Sequence, residues 1–153
     1  MKTVGLRPWR PADADALAAA WADPEIARWT AVPEDRSVAA AARWIAGWDE
    51  RRRRGLALDL VVTAADDDAV LGEVGVAFVT DPPTIGWWVV PAARGRGVAT
   101  TALRRFVDQF LTVDEVVAEV DEANPASVAV ARAAGFESVT PGRMVLRYHR
   151  RRP

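Results

Sequence analysis

The stretch that decides the fold is Trp87-Trp88-Val89-Val90-Pro91-Ala92-Ala93-Arg94-Gly95-Arg96-Gly97-Val98-Ala99-Thr100. It predicts a short apolar strand, a glycine-bearing turn, and a helix that runs to about Leu111. The glycines on either side of Arg96 open backbone conformations closed to other residues and let a ligand approach closely. The first N–H groups of the helix have no partner within it and lie at the positive end of its dipole. With the added charge of Arg94 and Arg96, this turn is predicted to bind an anion, and a pyrophosphate suits it best.

Length and composition indicate a single globular domain that covers residues 1–153. Half of the residues are hydrophobic and the net charge is −1, so a core can form and no overall field favours nucleic acid or anionic membranes. The chain has no cysteine and one histidine, His149, which argues against disulfides, a cysteine nucleophile and a metal site. No apolar run is long enough for a membrane span and no signal core begins the chain. We therefore expect a cytoplasmic protein without metal, membrane or nucleic-acid partners.

The first third of the chain is predicted to be mainly helical. An alternating strand covers residues 3–9, and an alanine-rich helix covers residues 11–22. Residues 23–36 contain two prolines and are predicted to be irregular. Ser37 can cap the next helix, which we expect to end in the four arginines 51–54 and Gly55. Those arginines are interpreted as a solvated helix end rather than a nucleic-acid site.

The remainder of the chain is predicted to form a sheet with a helical crossover. Three strands joined by short turns, at residues 58–63, 70–79 and 85–90, should pair antiparallel. After the helix at 98–111, the order becomes strand 116–120, helix 125–134, and strands near Phe136 and at 144–148. This order predicts an α+β fold with a mostly antiparallel sheet and a βαβ unit.

The segment Arg94-Gly95-Arg96-Gly97-Val98-Ala99 resembles the Arg/Gln-x-x-Gly-x-Gly/Ala signature of the GNAT superfamily of N-acetyltransferases. Three further blocks resemble its RimJ/RimL-like branch, which acetylates N-terminal alanine or serine of ribosomal proteins: Leu6-Arg7-Pro8-Trp9, Asp23-Pro24-Glu25-Ile26-Ala27-Arg28, and Asn124-Pro125-Ala126-Ser127 ahead of Gly135-Phe136. The resemblance covers nearly the whole chain in the expected order. It implies the GNAT fold, a mixed and mostly antiparallel sheet with a central βαβ acyl-CoA-binding unit and helices on both faces.

The resemblance also implies where acetyl-CoA, or a related acyl-CoA, binds. In this family the strand before the signature splays from the following strand, and its exposed backbone pairs with the pantetheine arm. Amides of the signature would hold the pyrophosphate, and Asn124 and Ser127 lie where the family contacts the pantetheine and the sulfur. The predicted acyl-CoA-binding residues are Trp88, Val89, Val90, Arg94, Gly95, Arg96, Gly97, Val98, Ala99, Thr100, Asn124 and Ser127.

The implied chemistry is direct attack of a primary amine on the thioester, since no cysteine is present to carry an acyl group. A backbone N–H near Val89 or Val90 is the expected oxyanion donor. Many GNAT enzymes protonate the thiolate with a tyrosine four residues before the Gly-Phe pair, but that position is Ala131 here. The resembled branch often uses serine, so Ser127 is the candidate acid. The alternative is a hydroxyl that only satisfies backbone groups in a first helical turn.

Carboxylates are the candidate general bases and acceptor contacts. Glu119 and Asp121 alternate on one predicted strand and so share a face, and Glu73 lies on a neighbouring strand. We predict Glu119 and Glu73 as catalytic and Asp121 as substrate-binding, although each has an alternative as an ordinary solvent-facing residue. Glu25 and Trp29, in the segment that shapes the acceptor pocket in this family, are also predicted to bind substrate.

Two functions remain open. One is an acyl-CoA-dependent N-acyltransferase acting on a protein N-terminus or a small amine. The other is a non-catalytic acyl-CoA-binding or protein-interaction module that keeps the fold. The sequence leaves the acceptor, the acyl chain and the general base open, and the protein is expected to be a monomer or a homodimer.

Overall fold

The computed structural model describes residues 3–147, and within them seven strands and six α-helices are formed. The strands are β1 (Val4–Arg7), β2 (Ala57–Ala64), β3 (Asp67–Ala77), β4 (Thr84–Val89), β5 (Glu115–Glu119), β6 (Glu137–Thr140) and β7 (Arg143–Arg147). The helices are α1 (Ala14–Ala22), α2 (Pro24–Trp29), α3 (Val38–Ala46), α4 (Trp48–Arg53), α5 (Val98–Phe110) and α6 (Pro125–Ala133). The predicted last strand extended to Tyr148, which lies outside the described residues.

All seven strands join one sheet in the order β1-β2-β3-β4-β5-β7-β6. Every neighbouring pair is antiparallel except β4 and β5, which are parallel. The α+β class, the antiparallel run of β2, β3 and β4, and the crossover through α5 are therefore confirmed. In the parallel pair, only Thr84 and Val117 lie opposite each other. Beyond Thr84 the two strands diverge, and this divergence opens the centre of the sheet.

Both faces of the sheet are covered by helices. Leu60, Val74 and Ile85 face a buried cluster that includes Phe106 of α5. The opposite face carries Val61 and packs against α1 and α3. Because successive strand residues point to opposite faces, the adjacent tryptophans of β4 lie on opposite faces of the sheet. Trp87 packs on the α5 side and Trp88 on the α1 side.

The segment predicted to be irregular, residues 23–36, contains the short helix α2, so that prediction is wrong for residues 24–29. Pro24 occupies the first turn, where its missing N–H costs nothing. The Asp23 side chain accepts a hydrogen bond from the Ile26 N–H at 3.0 Å and caps the helix. An aspartate before a proline is a helix start signal, and here it positions Trp29 toward the sheet opening.

The single helix expected up to Arg54 is also wrong, because it is divided at Gly47 into α3 and α4. Gly55 ends α4 with a φ of 67°, as the C-cap pattern predicts. The arginines do not all lie in solvent, however. The Nε and Nη2 atoms of Arg51 are buried without a hydrogen-bond partner, and its guanidinium lies 4.4 Å from the Trp44 ring centroid. Arg52, Arg53 and Arg54 are exposed as expected.

Among the described residues, no helix has both the length and the apolar character needed to cross a bilayer. The cytoplasmic location remains a prediction.

Candidate functional site

The glycine turn before α5 has the geometry of an anion site. Gly95 and Gly97 have φ values of 73° and 72°, which L-residues with a side chain rarely adopt. Gly97 is the N-cap of α5 and supplies no side chain to satisfy the first helical N–H groups. These groups, from Val98 to Thr100, therefore remain available at the positive end of a helix of 13 residues.

Arg94 connects this turn to α2. Its Nη2 atom lies 2.6 Å from Oδ2 of Asp23, the same carboxylate that caps α2. The hydrogen bond from Arg94 lowers the pKa of Asp23 below its usual value. Asp23 partly neutralises the charge of Arg94. We therefore expect the backbone N–H groups to contribute more to anion binding than the two arginines. The second arginine, Arg96, is exposed.

A cleft of about 410 Å³ lies beside the turn, between α2, the end of β4 and the start of α6, and is named here the signature cleft. All of the predicted acyl-CoA-binding residues except Val90 and Arg96 line it: Trp88, Val89, Arg94, Gly95, Gly97, Val98, Ala99, Thr100, Asn124 and Ser127. The signature cleft therefore has the helix N-terminus at one end and the start of α6 at the other.

The free edge of β4 presents one N–H group in particular. Val90 donates its N–H to the Leu71 carbonyl of β3 at 2.8 Å, so Val90 is excluded as the oxyanion donor. Because N–H directions alternate along an antiparallel ladder, the N–H of Val89 points the other way, toward the gap between β4 and β5. Of the two expected donors, Val89 is therefore the one whose N–H remains open, and its role as oxyanion donor stays a prediction.

Asn124 and Ser127 form a reciprocal contact at the start of α6. The Asn124 side-chain carbonyl accepts the Ser127 N–H at 3.3 Å and so caps the helix. The Asn124 amide donates to Ser127 Oγ at 3.0 Å. Because Oγ is the acceptor in that bond, its own proton is free to be donated elsewhere. Ala131, at the position of the family's tyrosine, is fully buried.

A second cavity of about 880 Å³ adjoins the signature cleft and is named here the acceptor cavity. The two share Trp29, Thr30, Trp87, Asn124 and Ser127. Two predicted carboxylates, Glu119 and Asp121, line the acceptor cavity and are exposed. Asp121 lies just beyond β5 and accepts the Ala123 N–H at 2.8 Å in a local turn.

Of the predicted acceptor-binding residues Glu25 and Trp29, only Trp29 lies at the boundary between these cavities. Trp29 lines both of them, whereas Glu25 lines only the signature cleft. The Glu25 carboxylate accepts the Trp29 indole N–H at 3.0 Å. Glu25 therefore holds the ring of Trp29 instead of facing the acceptor cavity.

Glu73 is not the solvent-facing residue that the alternative interpretation described. It lies on β3, separated from β5 by β4, and is half-buried. Its Oε2 accepts the Trp9 indole N–H at 2.8 Å and its Oε1 accepts the Trp88 indole N–H at 3.3 Å. Burial, together with the nearby Asp59 charge, raises the pKa of Glu73 to about 8.

Asp59 is the functional candidate that the sequence predictions missed. It lies on β2 directly opposite Gly75 of β3, which in turn lies opposite Gly86 of β4. Burial raises the pKa of Asp59 to about 6, and the Arg51 charge opposes that increase. The available signal was a lone carboxylate in the otherwise largely apolar strand Ala57–Ala64.

Asp59, Gly75 and Gly86 line both the acceptor cavity and a third cavity of about 510 Å³, named here the inner cavity. Glu73 and Trp88 line the inner cavity as well. Thr30 and Trp87 line all three cavities, so they meet at one point of the sheet opening. The site thus joins a turn that has the geometry of an anion site to cavities that are lined by carboxylates.

The sequence was compared with family models and with curated proteins. A family model described as an acetyltransferase (GNAT) domain matches residues 3–137. A search of curated proteins gave no significant match.

Solved structures share the fold over nearly the whole chain. RimJ of Mycobacterium smegmatis, in complex with CoA-disulfide, is 25% identical with a TM-score of 0.78, covering 93% of this chain and 79% of its own. Ribosomal-protein-S5-alanine acetyltransferase of Vibrio fischeri is 16% identical with a TM-score of 0.84, and the match covers 100% of this chain and 97% of that protein. Spermidine N-acetyltransferase of Vibrio cholerae, in complex with CoA and spermine, is 16% identical with a TM-score of 0.77, covering 95% of each chain.

Proposed function

The chain belongs to the GNAT acetyltransferase domain family, and on that premise we propose that it transfers an acetyl group from acetyl-CoA to a primary amine. The acceptor is a protein N-terminal amine or a small-molecule amine, and the reaction proceeds by direct attack within a ternary complex. The observation that carries this proposal is the signature cleft, which runs from the N-terminus of α5 to Ser127. The RimJ structure with CoA-disulfide supports a CoA thioester as the co-substrate.

In this proposal the acyl-CoA binds along the signature cleft. The pyrophosphate accepts hydrogen bonds from the N–H groups of Val98 to Thr100, where the helix dipole also favours negative charge. The pantetheine arm follows the free edge of β4. Its thioester then lies near Asn124 and Ser127, where the signature cleft and the acceptor cavity share a wall.

The reaction forms one bond and breaks another. The neutral amine nitrogen attacks the thioester carbon, and the negative charge that develops on the carbonyl oxygen is stabilised by the Val89 N–H. When the C–S bond breaks, the Ser127 hydroxyl donates its proton to the departing sulfur and regains one from the attacking nitrogen, which loses that proton as it becomes an amide. The products are the acetylated amine and free CoA.

The ammonium form of the acceptor must first lose a proton. An α-amine has a pKa of about 8, and a base is most effective when its own pKa is near the working pH. Glu73 meets that condition because burial raises its pKa to about 8. Glu119 is the alternative base, since it lines the acceptor cavity together with Ser127.

The test is amine-dependent release of CoA thiol from acetyl-CoA, measured with a panel of peptides and small amines. The proposal predicts release that requires both an amine and the Ser127 hydroxyl. A non-catalytic acyl-CoA-binding module, the alternative function, would bind acetyl-CoA but release no thiol with any amine. Carboxylates that line a cavity adjoining the signature cleft favour the enzyme, because they can bind and deprotonate an ammonium-bearing acceptor beside the thioester.

A further inference from the structure

A row of three residues crosses the sheet and forms the floor of a trough. Asp59, Gly75 and Gly86 lie opposite one another on β2, β3 and β4. A Cβ atom at Gly75 would lie 2.1 Å from Oδ1 of Asp59, so the carboxylate lies directly over this glycine. A Cβ atom at Gly86 would meet nothing within 4 Å. The sheet surface between Asp59 and the edge of β4 is therefore free of side chains.

The Asp59 carboxylate is available to a ligand. Within residues 3–147 it is in no hydrogen bond or ion pair, unlike the Glu73 carboxylate beside it. The Arg51 charge lowers the pKa of Asp59 through space without being hydrogen-bonded to it. Arg51 thus favours the ionised carboxylate and leaves both of its oxygens unoccupied.

The trough leads to the reaction centre. The acceptor cavity is lined by Asp59, Gly75 and Gly86 and also by Asn124 and Ser127. Neighbouring strands are about 4.8 Å apart. A carboxylate that leans over β3 is therefore roughly 5 to 10 Å from the gap beside β4 where the amine must attack.

We propose that Asp59 binds a second ammonium group of the acceptor, so that the substrates of this site are slender aliphatic diamines. This inference rests on the proposed function. One nitrogen attacks the thioester beside Ser127, the alkyl chain lies over Gly75 and Gly86, and the other nitrogen forms a charge-assisted hydrogen bond with Asp59. A small acceptor is favoured over a polypeptide because Trp21, Trp44 and the segment from Thr30 to Pro33 enclose the inner end of the trough.

The first test compares putrescine with butylamine, which has the same carbon chain but lacks the second nitrogen. We expect kcat/KM for putrescine to exceed that for butylamine by about 10- to 100-fold, the usual range for a hydrogen bond to a charged group. In Asp59→Asn that preference should disappear, mainly through a higher KM for putrescine, so that putrescine and butylamine have similar kcat/KM values. The matched control Asp114→Asn removes an exposed carboxylate that lines none of these cavities and should keep the full preference.

Two glycine variants test the geometry while the charge of Asp59 is retained. Gly75→Ala forces the Asp59 carboxylate aside and should reduce the preference for putrescine as Asp59→Asn does. Gly86→Ala adds a methyl group in open space, so the fold is kept, and should raise KM for both amines. A Gly86→Ala variant with unchanged KM values would contradict the position of the trough.

A binding measurement separates failure of this inference from failure of the proposed function. The shift in thermal midpoint caused by putrescine in the presence of free CoA needs no turnover. A shift in the wild type that is lost in Asp59→Asn, without acetylation of any amine, would support the diamine site and contradict the acetyltransferase. Acetylation of putrescine and butylamine at equal rates, or acetylation only of peptide N-termini, would overturn the diamine site and leave the acetyltransferase standing.

Discussion

Asn124 donates a hydrogen bond of 3.0 Å to the hydroxyl oxygen of Ser127 while its carbonyl accepts the Ser127 N–H. One side chain thereby caps α6 and fixes the direction in which the Ser127 proton can be donated. Both residues line the signature cleft and the acceptor cavity. This contact gives the proposed chemistry its leaving-group donor in a chain that has alanine at the tyrosine position.

Replacement of Ser127 should separate catalysis from binding. Ser127→Ala removes the proton donor to the thiolate, and we expect kcat to fall by about 100-fold. The thermal shift caused by acetyl-CoA should stay the same, because backbone N–H groups hold the pyrophosphate. Ser138→Ala, at an exposed position on β6, is the matched control and should keep full activity. Full activity of Ser127→Ala would remove Ser127 from the mechanism.

Asn124→Asp tests the orientation of the Ser127 hydroxyl without removing the helix cap. Aspartate caps a helix as well as asparagine does, so the thermal midpoint should be nearly unchanged. The carboxylate cannot donate to Oγ and instead accepts the Ser127 proton. We expect kcat to fall by about tenfold or more, toward the value of Ser127→Ala. A variant with wild-type kcat would show that this hydrogen bond does not matter for turnover.

The anion site at the start of α5 can be tested with a pair of variants of equal shape. Acetyl-CoA at a hundredfold excess over Kd should stabilise the wild type by about 2.7 kcal/mol, a rise in Tm of roughly 5 to 11 °C for a domain of this size. Gly97→Asp places a negative charge beside the pyrophosphate and should abolish the shift. Asparagine and aspartate both tolerate the left-handed conformation, so Gly97→Asn should fold equally well and keep most of the shift. Equal shifts in the two variants would argue against phosphate binding at this turn.

Burial of Glu73 predicts how stability depends on pH. Burial raises its pKa from 4.5 to about 8, so between these values the folded state holds a proton that the unfolded state has released. The free energy of unfolding should therefore fall as the pH rises through this window, by up to about 1.4 kcal/mol per pH unit for one proton. Glu73→Gln removes the titrating group, keeps an acceptor for one of the two indole N–H groups, and should flatten this dependence.

The control for that experiment is Glu137→Gln, which removes an exposed carboxylate of β6. Its unfolding free energy, measured in denaturant from pH 5 to pH 9, should run parallel to that of the wild type. The pKa of Asp59 is also raised, so in Glu73→Gln a weaker dependence of the unfolding free energy on pH should remain below about pH 6. Parallel curves for the wild type and Glu73→Gln would contradict the raised pKa of Glu73.

Much of the fold follows from local patterns in the sequence. Short apolar runs joined by turn residues predict β2, β3 and β4, and the glycines around Arg96 predict the turn before α5, because these signals are local properties of the chain. Helix α2 was missed because prolines are usually read as breaks, although Pro24 stands in the one helical turn where proline is tolerated. The division at Gly47 was missed for the opposite reason, since a single glycine inside a helical pattern is often accommodated.

The residues of the signature cleft could be predicted from the sequence, whereas those of the trough could not, for a physical reason. The signature cleft is built by one continuous segment, so its residues could be named from the sequence. The trough is built across three strands, and its key contact joins Asp59 to Gly75 through the register of β2 and β3. Register depends on pairing between distant residues, so neither the carboxylate nor the bare floor beside it could be predicted from a single strand. Arg51 was misplaced for the same reason, because its burial depends on the packing of α4 against the sheet.

The measurement that tests the central claim most directly is release of CoA thiol from acetyl-CoA by the purified protein, with and without amines. We expect release that depends on an added primary amine, yields one acetylated amine per CoA, and falls about 100-fold in Ser127→Ala. A wild-type protein whose Tm rises with acetyl-CoA but that releases no thiol with any peptide or small amine would contradict it, and would identify a binding module instead.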